Sequence, residues 1–373
     1  MNENEDQTAM LPAQGAPAPA KESASIESLY ADTVKKKAVS KDSAEETAKI
    51  LAKARERARD GATFWKHVWE AAEDDLKFLS GDQWPAEIRT EREQDGRPCL
   101  TNNTLPTFVD QIIGDQRQNK PSIKVSATKS ETVPNAETGE NESLKIESQT
   151  GQDSYELAEV FTGIIKNIEY NCDAEDAYDV AFQAAAESSL GYLRVRSDYL
   201  ADADFQQELI IEPIRNQFSV IMDPNASKSD YSDMNWCLVD DHMPKELFEE
   251  LYPDAVSDPV GQGNSSEMSE WFAEKTVRIS EYFTREAEDK EIALLSDGKS
   301  VSIEEIKPVV DELAAKGITI VRTRKIKTHK VFWRKITGAN ILEGPIEVGC
   351  TTIPVVPVFG KSLTIKDKTY YRS

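Results

Sequence analysis

The spacing of apolar residues changes near position 190, and this change restricts the fold more than any other feature of the chain. Before it, apolar side chains recur every three or four residues, as in an amphipathic helix; after it they alternate or form short blocks, as in strands. Phe64, Trp65, Val68, Trp69, Ala72, Leu76 and Leu79 form one helical row, and residues 44–59 ahead of it favour helix by composition alone. Gly81 stands where that helix should stop. Residues 105–117 predict a second helix, with Phe108, Ile112 and Ile113 apolar, Pro106 in the first turn and Pro121 beyond the end. A third carries Leu157, Phe161, Ile164, Ile165 and Ile168 on one side. A fourth carries the small row Ala177, Val180, Ala181, Ala184 and Ala185, which admits a close neighbour, and Gly191 is expected as its left-handed terminator.

Strands are expected at 192–195, 208–211, 219–222, 236–239, 277–283, 291–295, 318–321, 328–336 and 355–359, with a short earlier one at 123–125. Asp223-Pro224-Asn225 is turn chemistry, and 128–153 and 252–270 read as loops. A short helix is expected at 244–251. Another, over 303–316, opens on the capping-box pair Ser302 and Glu305 and closes at Gly317, with Pro308 kinking it or delaying its start. The class is therefore α+β, helices followed by a mainly antiparallel sheet. Residues 1–43, rich in Ala, Pro, Ser, Glu and Lys, cannot bury enough apolar surface to offset ordering and are expected to be a disordered arm. The remainder divides into an α+β region at 44–275 and a second α+β module at 276–373.

Charge narrows the function. A net charge of -23 opposes long-range attraction to phosphate backbones, whereas an ordinary nucleic-acid binder is basic. The acidic start, Met1 to Asp6 in MNENED, is the reverse of a secretory signal, so the protein is expected to stay in the cell that makes it. The most apolar stretch, residues 353–359, is far shorter than the roughly 20 residues of a membrane span. Cys99, Cys172, Cys237 and Cys350 lie too far apart for a disulfide framework or metal motif and are expected to be reduced; His67, His242 and His329 are equally scattered.

Few residues suggest chemistry. Gly360-Lys361-Ser362 resembles the end of a phosphate loop, but Val355 occupies the position of the required earlier glycine, Pro357 interrupts the loop and no helix follows. It reads as a turn. Asp230, Asp233, Asp240 and Asp241 form a carboxylate cluster with two readings: a Mg²⁺ site of a nuclease or other hydrolase, or solvated turn residues in an acidic chain. Arg322, Arg324, Lys325, Lys327, Lys330, Arg334 and Lys335, interleaved with Val331, Phe332 and Trp333, form the densest basic cluster. It either contacts DNA or an acidic partner, or is the charged outer face of a half-buried strand. Trp65, Trp69, Trp84 and Trp333 read as core or interface anchors. No Ser/His/Asp or Cys/His grouping is present, and nothing calls for catalysis, a cofactor or a metal.

Five stretches together resemble the portal proteins of short-tailed bacteriophages. The first is Asp74-Asp75-Leu76-Lys77-Phe78-Leu79 running into Gly81-Asp82-Gln83-Trp84, followed by Arg97-Pro98 and Asn102-Asn103. The second, Gly114-Asp115-Gln116-Arg117-Gln118-Asn119-Lys120-Pro121, is similar to the family's helix ending. The third is the Ala-rich helix leading into Gly191-Tyr192-Leu193-Arg194-Val195 and Asp198-Tyr199, continuing past Asp223-Pro224 to Asp230-Tyr231-Ser232-Asp233 and Trp236. Val277-Arg278-Ile279-Ser280-Glu281-Tyr282-Phe283 and Ile353-Pro354-Val355-Val356-Pro357-Val358-Phe359-Gly360 complete the series. Their order and spacing carry the resemblance over nearly all of the chain except the N-terminal arm.

The resemblance implies a non-enzymatic, dodecameric homo-oligomeric ring at one capsid vertex, the conduit for double-stranded DNA in packaging and ejection. Its implied partners are further copies of itself, the terminase large subunit, head-to-tail adaptors, and capsid and scaffolding proteins. Its implied places are the virion and, during assembly, the host cytoplasm. Residues 44–275 would correspond to the wing and 276–373 would lead towards the stem and clip. Family chains are longer and continue into channel-lining helices, so this sequence, ending at Ser373, is expected to be an N-terminal portion. Another head-to-tail connector component, or the metal-dependent nuclease, are the alternatives.

Overall fold

A computed structural model of the protein describes residues 44–120, 122–126, 150–199, 205–257, 271–273, 275–296, 300–306, 318–365 and 368–372. The expected disordered arm at 1–43, most of the 128–153 and 252–270 loops and the end of the 303–316 helix lie outside these residues. Helix α1 (Ala44–Leu79) is a single 36-residue element. It runs through Gly61 without a break, because that glycine serves packing and not termination. A Cβ there would lie 2.4 Å from Ile221 and 2.9 Å from Trp236. Termination falls at Gly81, with φ +100°, where Gly81 N–H donates to Phe78 O and Asp82 N–H to Lys77 O, a Schellman closure.

Helices α2 (Ala86–Gln94), α3 (Leu105–Gln118), α4 (Thr150–Asn171) and α5 (Ala174–Ser188) follow. Residues 123–125 are not a strand; Val125 N–H instead donates to the hydroxyl of Thr162 on α4. Helix α5 buries Ala174, Ala177, Ala181, Ala185 and Ser188, the face expected from its small residues. Its left-handed terminator is Ser189 at φ 64°, not Gly191. Gly191 lies inside strand β1 (Leu190–Tyr199), where a Cβ would sit 2.0 Å from the Ala181 carbonyl oxygen. Glycine here lets the strand touch the backbone of α5.

Among the described residues all strand pairing is antiparallel. β1 pairs with β2 (Gln207–Pro213) on one edge and with β9 (Val355–Phe359) on the other. A six-stranded sheet runs β3 (Val220–Met222), β4 (Trp236–Pro244), β5 (Thr276–Leu295), β7 (Ile320–Ile336) and β8 (Ile341–Val348), with β6 (Ser300–Ser302) beside the far end of β5. Helix α6 (Lys245–Leu251) follows β4, and the short α7 (Ile303–Ile306) follows β6. β10 (Lys361–Ile365) and β11 (Lys368–Arg372) form a separate hairpin, so Gly360-Lys361-Ser362 leads from one strand into the next. β4 and β5 lie on opposite sides of the 275/276 boundary yet pair over the whole of β4 and residues 276–284 of β5, and Asp42–Ser373 form one compact unit. This is the α+β arrangement of helices followed by antiparallel sheets.

The core lies where α1 crosses the six-stranded sheet. Ala54, Ala58, Trp65, Val68 and Ala72 on the helix are buried with Ile221, Met222, Leu238 and Trp236 on the strands. Trp65 also donates its indole N–H to Met222 O at 3.0 Å. Its ring joins Tyr231, Phe359 and Tyr371 in an aromatic cluster that gathers α1, β9, β11 and the loop before β4. Arg194 of β1 ties the two larger sheets together, bonding Glu212 of β2 and, at 2.7 Å, Glu281 of β5. The four cysteines are unpaired.

Gly191→Ala should cost about 2–3 kcal/mol, because the new methyl has backbone on its far side and cannot be relieved by a rotamer change. Gly114→Ala, with nothing within 4 Å of the added methyl, should be neutral or slightly stabilising by helix propensity. Urea denaturation of both variants checks this; equal stabilities would contradict the close approach.

Candidate functional site

The seven basic residues all lie on β7, but strand alternation and depth divide them. Arg322, Arg324, Lys325 and Lys327 occupy the exposed far half of the strand, and among the described residues none has a carboxylate at ion-pair distance. Successive residues face opposite sides, so Arg322 and Arg324 share one face while Lys325 and Lys327 share the other. Across the ladder Arg322 and Arg324 oppose Leu294 and Ile292; Lys325 and Lys327 oppose Glu291 and Asp289.

Lys330, Arg334 and Lys335 are not brought together with those four. Lys330 lies 2.9 Å from Glu288 and 3.7 Å from Glu347, and its bond to Glu288 raises its pKa. Lys335 lies 3.4 Å from Glu343 and 5.6 Å above the Tyr252 ring. Arg334 is buried, 8% exposed, and donates to the Thr284 hydroxyl at 3.1 Å. Lys330 and Lys335 are thus neutralised by glutamates, and Arg334 is withdrawn from the exposed strand face. The free positive charge is the set at 322–327.

Each carboxylate of the 230–241 cluster has a local partner. Asp233 accepts from the Ser227 hydroxyl at 2.6 Å and from the Ser227 and Lys228 amides. Asp230 accepts from the Ser232 amide, and Asp241 from the amide of His242. Asp240 pairs with Arg278 at 2.6 Å and accepts from the Ser280 hydroxyl. Among the described residues no three His, Cys, Asp or Glu side chains are grouped to hold a metal ion. The geometry is that of turn caps and one ion pair.

A different surface stands out on the helices. The apolar rows of α3 and α4 are only partly used by the core: Ile113 and Ala158 are buried, whereas Phe108 is 61%, Ile112 53%, Val160 56% and Phe161 49% exposed. Leu105, Tyr155, Leu157 and Ile164 are exposed beside them. Soluble monomers rarely leave this much apolar surface in rows, and such rows mark contacts with other chains. Periodicity located the rows; only the packing shows that they lack a cover among the described residues.

The chain matches the family model described as phage P22-like portal protein over residues 55–373, and it belongs to that family. It is 25% identical over 282 residues to the portal protein of Acyrthosiphon pisum secondary endosymbiont phage 1, covering 72% of this chain and 36% of that protein. The chain thus spans little more than a third of that relative's length. Among the described residues no helix is long and apolar enough to cross a membrane.

The Asp233 cap makes a pH-dependent contribution to stability. The Ser227 hydroxyl, then the Ser227 and Lys228 amides, hold this carboxyl at about 2, below its ordinary 3.8. A depressed folded-state value gives stability that is fully present above 3.8 and lost as pH falls through about 2. Asp233→Asn should flatten the acid limb of a stability–pH curve in that window; an unchanged curve would remove the cap from the account.

Proposed function

We infer that the protein is a ring-forming portal subunit, set at one capsid vertex as the conduit for DNA during packaging and ejection. The exposed apolar rows of α3 and α4, in a chain of the portal family, carry this reading. In a cyclic ring each subunit meets its neighbour through two different patches, so an apolar face on one copy is covered by another surface of the next. The net charge of -23 supports a conduit through which a polyanion slides without sticking. On this reading residues 44–275 serve as the wing and 276–373 lead towards the stem, as two stretches of one compact unit. The ring has no chemistry of its own. Terminase and later the head-to-tail adaptors dock on it; capsid and scaffolding proteins surround it; it belongs to the phage particle and, before that, to the host cell interior.

Within the ring, Arg322, Arg324, Lys325 and Lys327 are assigned to contact either DNA or an acidic face of the adjacent subunit. Arg324→Glu with Lys327→Glu separates the two. Weaker DNA retention, with a salt dependence of binding shallower by about two units, marks phosphate contact. Intact DNA behaviour with fewer rings marks the subunit contact. No change in either would leave these residues as a solvated edge.

Native mass spectrometry of the full-length polypeptide should show closed rings, and Phe108→Glu with Phe161→Glu should convert them to monomers without loss of fold. A charge buried at a subunit contact costs several kcal/mol per interface, enough to disperse a ring. Rings that persist in this variant would overturn the assignment of α3 and α4.

A further inference from the structure

We propose that the cleft between the N-terminal half of α1 and the face of β5 and β7 is a binding site for a single phosphate group. Lys53 and Arg57 reach it from the helix and Arg334 from β7, around a cavity of about 190 Å³; Arg285 borders it on β5 but turns its side chain to the opposite face of the sheet. Glu286 is the one carboxylate in the lining, so the three cations Lys53, Arg57 and Arg334 against one anion leave two positive charges. This occurs in a chain with 67 acidic and 44 basic residues, where a chance cluster should be acidic. Among the described residues none of these three cations has a carboxylate within ion-pair distance. The proposal stands independently of the portal reading.

The cations are held in place by groups that carry no opposing charge. Arg57 donates to the Tyr282 hydroxyl at 2.5 Å, and its guanidinium stands 5.6 Å above the Trp236 ring. Arg334 is more than nine-tenths buried; one nitrogen bonds Thr284, and its Nε is buried with no acceptor. A buried guanidinium normally has an anionic partner, and a buried donor without an acceptor is costly. The cleft thus presents preorganised donors and excess charge with the anion missing.

A phosphate monoester or inorganic phosphate fits better than a carboxylate. It carries about 1.5 to 2 negative charges near neutral pH and three or more acceptor oxygens, close to the excess charge and to the number of donors. Planar guanidinium forks from two directions suit a tetrahedral oxyanion. The cavity is too small for a duplex groove and admits one phosphate with its substituent directed outward.

Calorimetric titration of the protein with inorganic phosphate at fixed ionic strength should show one saturable site per chain. Lys53 is exposed, so Lys53→Gln should fold normally and weaken binding at least about tenfold, and Arg57→Gln should do the same. Lys66→Gln, on the same helix but away from the cleft, should leave affinity unchanged. A 5′-phosphorylated oligonucleotide that displaces phosphate where its 5′-hydroxyl twin does not would identify a nucleic-acid end as the source; displacement by neither leaves free phosphate as the ligand. No saturable heat up to about 10 mM phosphate, or equal affinity in Lys53→Gln and Lys66→Gln, overturns the proposal.

Discussion

Helix α1 lies against the six-stranded sheet on a side reduced to the buried Ala54, Ala58 and Gly61, with the Ile221 and Trp236 side chains set against Gly61. Trp65 then enters the space the small residues leave beyond them. That close approach aligns the Trp65 indole with the Met222 carbonyl and brings Phe359 and Tyr371, from late in the sequence, onto the same ring. The α5–β1 contact uses the same device, with Ala181 on the helix and Gly191 on the strand. Close packing gains dispersion contacts, and its tolerance is correspondingly small: a methyl at Gly191 would meet the Ala181 backbone, and one at Gly61 would displace the Ile221 and Trp236 side chains. At the N-terminal half of α1, where the facing residues lengthen to Lys53 and Arg57, the same crossing leaves a charged cleft.

Much of this order can be read from residue spacing, and the misreadings share physical causes. The helical rows, the small face of α5 and the stop at Gly81 follow from local rules. Gly191 reads as a helix terminator, yet it serves a close contact with the preceding helix at Ala181, and Gly61 serves one with Ile221 and Trp236 far along the chain. β5 and β7 were each expected as two short strands because the middle of the hairpin, Glu286 to Glu291 opposite Lys325 to Lys330, is polar on both faces. Where a ribbon leaves the core, no burial imposes alternation, and periodicity fades although the ladder continues. β8 was missed because Gly344 and Pro345 stand inside it, and β10 and β11 because they are short and carry polar residues.

The functional surface was legible in part. Seven basic residues adjacent in sequence are not one patch, since alternation turns them to opposite faces and depth assigns three of them to Glu288, Glu343 and Thr284. The turn reading of the 230–241 carboxylates holds for Asp230 and Asp233, which bond Ser232 and Ser227, but not for Asp240 and Asp241, which lie on β4, Asp240 paired with Arg278. Lys53 and Arg57 leave only a faint signal, as basic residues beside the buried stripe of Leu51, Ala54 and Ala58. The rows on α3 and α4 were visible as apolar, but spacing alone cannot say whether a core or another copy covers them.

The central physical claim is that these rows are covered by a neighbouring copy in a closed ring. Electron cryomicroscopy of the full-length protein tests it directly. The account predicts an annulus in which Phe108 and Phe161 of each subunit are enclosed by the next. A monomer, or an annulus that leaves both side chains facing solvent, would contradict it.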